Sequence, residues 1–106
     1  MTGAELRHIL QDKWGCSYDV QLRRIGEGKN SRVQLQVMWR YLEQASFPMT
    51  EQEYLQHLHR VATYLQEWCL VEQFRQFIRQ VKARPRLGKP VVMVLDLGDR
   101  AVEWLV

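Results

Sequence analysis

Pro85, Gly88 and Pro90 rule out a helix across residues 84–90, and the next five residues, Val91–Leu95, are short, uncharged and valine-rich. The chain must therefore enter a strand here, and the continuous apolar run predicts a central or well-covered one. Asp96 or Asp99 then caps a final helical turn carrying Leu97, Ala101, Trp104 and Leu105. A basic loop, a strand and a capped turn follow one another with nothing between them.

The rest of the chain supplies partners for that strand. Thr2 and Glu5 form a capping box with Met1 and Leu6 as its staple, and Leu6, Ile9, Leu10 and Trp14 share one stripe. Gly15 stops this first helix, which spans Gly3–Trp14. Tyr18, Val20 and Leu22 alternate with polar residues, as do Val33, Leu35, Val37 and Trp39. With the turn formers at 26–31 between them, they read as an antiparallel hairpin. Residues 40–45 read as a helical turn ended before Pro48.

Thr50, Glu53, Met49 and Tyr54 give the clearest local signal, a capping box with its staple. Tyr54, Leu55, Leu58, Val61, Ala62, Leu65 and Trp68 then repeat at helical spacing, but the apolar phase slips at Cys69 and Leu70. Two helices are expected, at 51–68 and 71–83. The fold class is α+β: a small antiparallel sheet, made of the hairpin and the C-terminal strand, packed against three to four helices.

At 106 residues the chain suits a single domain with one core. No basic region precedes a long apolar stretch at the N-terminus, so no signal peptide is expected. The longest apolar run falls far short of the roughly 20 residues that span a bilayer, so no membrane insertion is expected. Two cysteines do not make a disulfide scaffold, and a cytoplasmic protein with reduced thiols is expected.

The net charge of +3 is modest, but its distribution is uneven. Between residues 73 and 95 stand Arg75, Arg79, Lys82, Arg84, Arg86 and Lys89, without a single acid. Arg75, Arg79 and Lys82 share one helical face, and the other three extend it through a loop. Phe74, Ile78 and Val81 anchor the opposite face. Such a stripe is a solvated face, a docking surface for an acidic protein partner, or a nucleic-acid surface.

Other motifs read more plainly. Gly26, Gly28 and Lys29 mimic a phosphate-binding loop, but Arg23 and Asn30 stand where glycine and Ser or Thr are needed, and the loop joins two strands. Cys16, His57, His59 and Cys69 lack the tight pairs of a zinc site. Cys69 reads as a small core residue and the histidines as solvent-facing. Ser17 and Ser46 lack a nucleophile-elbow context, and Asp96 and Asp99 suit capping. No catalytic set, metal or cofactor is expected, and the chain is not read as an enzyme.

The order of blocks resembles a known family. These are Tyr18-Asp19-Val20-Gln21-Leu22-Arg23-Arg24, Met38-Trp39-Arg40-Tyr41-Leu42-Glu43-Gln44 and Phe47-Pro48-Met49-Thr50-Glu51-Gln52-Glu53-Tyr54, closing with Arg84-Pro85-Arg86-Leu87-Gly88-Lys89 and Leu95-Asp96-Leu97-Gly98-Asp99-Arg100-Ala101. They are similar to a small domain-of-unknown-function family, number thirty sixty-seven, of cyanobacteria and of algal and plant plastids. The similarity runs from about Trp14 onward, and the closing block is its most specific part. The resemblance implies an oxygenic phototroph, a cytoplasmic or stromal location and an accessory role, with no catalytic residues to carry over.

Three functions are consistent with this sequence. The first is a non-catalytic binding or assembly-accessory protein working through Arg75, Arg79, Lys82, Arg84, Arg86 and Lys89. The second is RNA binding through the same residues together with Arg23, Arg24, Lys29 and Arg32. The third is an enzyme or ligand-binding protein with a pocket between sheet and helices lined by Trp39, Tyr41 and Trp104.

Overall fold

The computed structural model describes residues 1–26 and 32–95. The hairpin loop at 27–31 and the expected final turn, with Asp96, Asp99 and Trp104, lie outside the described residues. The element order is α1 (Gly3–Trp14), β1 (Tyr18–Ile25), β2 (Arg32–Tyr41), α2 (Glu51–Glu67), α3 (Val71–Gln80) and β3 (Val91–Leu95).

The caps form largely where local chemistry places them. Thr2 accepts from the Glu5 amide at 3.1 Å, which is one half of the expected box. Gly15 ends α1 at φ +78°, and its N–H reaches the Gln11 carbonyl. At α2 both halves form: Thr50 Oγ1 accepts from the Glu53 amide, and the Glu53 carboxylate accepts from the Thr50 amide. Such a cap contributes about 1 kcal/mol.

The break between α2 and α3 is a Schellman motif. The Cys69 N–H bonds the Gln66 carbonyl, and the Leu70 N–H bonds the Leu65 carbonyl at 2.8 Å. Cys69 sits at φ +58°, in the left-handed region that glycine usually fills. Leu70 turns inward and is buried, whereas Cys69 is exposed. The expectation of a core cysteine is thus corrected: at the left-handed position the backbone turns the side chain outward and hands the core to its neighbour.

The sheet has the order β1-β2-β3, antiparallel throughout. Val20, Val37 and Val91 lie side by side on the inner face, as do Leu22, Leu35 and Met93, then Val33 and Leu95, while Arg24 opposite Val33 is exposed at the hairpin end. The apolar residues of this face pack with Leu6, Leu10 and Trp14 of α1, with Tyr54, Leu58, Val61 and Leu65 of α2, and with Phe74 and Ile78 of α3. Each fully buried side chain of this size contributes about 1.5–3 kcal/mol.

Two further expectations change. β3 is an edge strand, not a central one: Val91, Met93 and Leu95 are buried while Val92 and Val94 are exposed. Its valines serve two faces, so the apolar run does not signify two-sided cover. Residues 40–45 form no helical turn. Arg40 and Tyr41 extend β2, and two four-residue turns follow, closed by Gln44 N–H to the Tyr41 carbonyl and Phe47 N–H to the Gln44 carbonyl.

Candidate basic docking surface

The stripe that is free of acid along the chain meets acids in space. On α3, Arg75 lies 3.6 Å from Glu5 of α1, and Arg79 lies 3.3 Å from Glu72, two turns earlier on the same helical face. Both face a groove of about 540 Å³ between α1 and α3, lined by Ile9, Asp12, Lys13, Arg75, Ile78 and Arg79. These exposed pairs are worth at most about 1 kcal/mol each, but they offset the cations as a field.

Arg84 has a partner of another kind. Its Nε donates to the Tyr18 hydroxyl at 2.9 Å, and its Nη2 lies 3.6 Å from Cys16 Sγ. Tyr18 in turn stands edge-on between Trp14 and Tyr41. With Pro85 buried beside it, Arg84 fastens the segment after α3 onto the junction of α1 and β1. Sequence reasoning gave this residue no structural partner because Tyr18 lies far back in the chain.

Beyond that anchor the segment turns outward. The Arg86 N–H bonds the Lys89 carbonyl at 3.0 Å and the Lys89 N–H bonds the Arg86 carbonyl at 2.7 Å. Gly88 supplies φ +76°, the position-three requirement of a type II turn. At the tip Leu87 is 85% exposed. Among the described residues, Lys82, Arg86 and Lys89 have no ion-pair partner. Among the described residues, the six cations thus separate into a neutralised pair on α3, an anchor at Arg84, and three charges without an ion-pair partner: Lys82 just past α3, and Arg86 and Lys89 flanking one exposed leucine.

The second basic cluster lies elsewhere. Arg24 and Arg32 stand by the hairpin tip, next to the Val33–Leu95 end of the sheet, whereas Lys89 enters β3 at the Val37–Val91 end. The four residue steps between these ends correspond to about 13 Å. Arg23 lies on the outer face and bonds Gln21, and Lys29 is outside the described residues.

The other candidates disperse. His59 is exposed, as expected, whereas His57 is half-buried and turns to the rim of β1. The His57 Nε2 contacts the Val20 carbonyl at 2.6 Å and lies 3.4 Å from buried Asp19, and His59 Nδ1 accepts from the Gly3 amide. The hydrogen bond to Asp19 raises the His57 pKa above its ordinary 6.5, against the opposing pull of burial. No group of three or more His, Cys, Asp or Glu converges as a metal site among the described residues. Ser17 is fully buried, and its hydroxyl accepts from Arg7 and Gln11, a structural arrangement. Trp39 and Tyr41 do not line the grooves between α1 and α3, α1 and α2, or β1 and α2. Among the described residues no helix is long and apolar enough to cross a membrane.

The described residues thus make a small α+β domain, a three-stranded antiparallel sheet with three helices, that carries a cationic turn. The chain belongs to the family described as Domain of unknown function (DUF3067), whose model matches residues 4–105. It is similar to the Alr2454 protein from Nostoc sp. strain PCC 7120, known from a solution NMR structure, at 57% identity and a TM-score of 0.84, over 100% of this chain and 98% of that one. No curated protein matches the chain at a significant level.

Proposed function

We propose that the domain is a non-catalytic binding or assembly-accessory protein of the cytoplasm of an oxygenic phototroph, docking an acidic protein partner through its basic surface. Of the six residues Arg75, Arg79, Lys82, Arg84, Arg86 and Lys89, the last two with Lys82 make the contact, and Arg84 holds the turn that presents them. The observation that carries this reading is Leu87, 85% exposed at the tip of a doubly hydrogen-bonded turn between two cations. A leucine held out in water by a closed turn is a suitable anchor for an apolar slot, and flanking charge steers the approach. The cyanobacterial relative supports the setting.

The test is affinity capture from a cyanobacterial lysate with the wild type, with Arg86→Glu/Lys89→Glu, and with Leu87→Ser. The expected result is an acidic protein retained by the wild type and lost from both variants. An unchanged set of retained proteins contradicts the proposal. RNA retained with a steep salt dependence, lost on charge reversal yet indifferent to Leu87→Ser, would favour the nucleic-acid reading instead.

A further inference from the structure

An antiparallel strand turns the N–H and C=O of alternate residues to opposite sides. In β1 the outward side is fixed by α2: Tyr54 Oη donates to the Tyr18 carbonyl at 2.7 Å, and His57 Nε2 contacts the Val20 carbonyl at 2.6 Å. Val20 therefore points away from β2, and its neighbour Val37 points toward β3. Carried across the register, Val91, Met93 and Leu95 bond β2, while the N–H and C=O of Val92 and Val94 point out of the sheet.

β3 itself carries none of the usual in-strand devices that keep strands apart. β3 contains no charge or proline, and its pairing with β2 has no bulge. Val92 and Val94 are 39% and 54% exposed. Among the described residues, no helix or loop hydrogen bond reaches either one. The strand also begins directly after the cationic turn, so Arg86 and Lys89 stand at its N-terminal end.

We propose that β3 accepts an extended segment of the acidic protein partner as a fourth, antiparallel strand. The backbone of Val92 and Val94 supplies the ladder, and apolar side chains at alternate partner positions cover the two valines. In antiparallel pairing the partner's C-terminal end lies beside Val91. Acidic residues at that end meet Lys89 and Arg86. The charge part of this proposal rests on the docking reading above; the strand part rests on the open edge.

The experiment is a titration of the isotope-labelled protein with a synthetic peptide of alternating valine and threonine ending in C-terminal glutamates, followed by NMR shifts and amide exchange. A second peptide carries the glutamates at its N-terminal end. The expected result is protection of the Val92 and Val94 amides by the first peptide, with at least about ten-fold weaker binding of the second, a difference of about 1.4 kcal/mol. N-methylation of the first peptide's central amides should abolish the protection without touching the protein's fold. Binding with shifts confined to Arg86, Leu87 and Lys89 overturns strand addition and leaves the docking reading standing. Protection that is unchanged in Arg86→Glu/Lys89→Glu keeps strand addition and overturns the charge reading. Absence of binding by either peptide overturns both.

Discussion

Along the outer rim of β1, Tyr54 and His57 reach across from α2 to the carbonyls of Tyr18 and Val20. Along the outer rim of β3, no described residue does the same for Val92 and Val94. The two strands belong to one sheet and face the same pairing chemistry, yet among the described residues one edge is closed by a helix and the other is left as a template. Unpaired strand edges invite association, which is why the proposed strand addition is placed at β3 and not at β1.

The comparison breaks most severely at Tyr54. Its side chain is fully buried and also closes the β1 edge, and burial holds its phenol protonated as a donor. Tyr54→Ala should cost about 3–5 kcal/mol in urea unfolding, and Tyr54→Phe, which strands the Tyr18 carbonyl, about 1–2 kcal/mol. A loss near zero for the phenylalanine variant would mean the edge is not held by that bond. At the other edge, Gly88→Ala forces a left-handed alanine and should cost about 1–2 kcal/mol while loosening the presentation of Leu87.

The His57 contact is sharpened by pH. Because the Asp19 hydrogen bond raises the folded-state pKa of His57 above 6.5, its contribution is fully present below that value and fades as pH rises through the folded value. The stability difference between wild type and His57→Gln should therefore be larger near pH 5.5 than near pH 8, measured by urea midpoints. A difference that grows with pH would contradict the assignment. The smallest stability effect is expected at the open edge. Val94→Lys should stay within about 0.5 kcal/mol of wild type, yet abolish peptide protection.

Much of this architecture was legible in the sequence. The capping box at Thr50 and Glu53, the stop at Gly15 and the period-two strands are local chemistry, and each appears where the pattern puts it. The phase slip at Cys69 and Leu70 marked the helix break. Its mechanism, a left-handed cysteine, was not legible, because glycine is the usual signal there.

The site was legible only in part. The stretch from 73 to 95 is acid-free in sequence, but Glu5 approaches Arg75 from α1, and Glu72, just outside that stretch, reaches Arg79 from two turns earlier. A linear count cannot see charges that the fold brings in from the side. His57 was assigned to solvent because a helical stripe separates apolar from polar positions without revealing a strand edge beyond the stripe. For the same reason Val91–Leu95 looked doubly covered: composition records the residues of a strand, not its place in the sheet.

The most direct measurement is amide hydrogen exchange on the free protein, resolved along β3. The alternation derived from the register predicts slow exchange at Val91, Met93 and Leu95, whose N–H groups bond β2, and fast exchange at Val92 and Val94. Slow exchange at Val92 and Val94 in the absence of any partner would show that edge already occupied and would contradict the account.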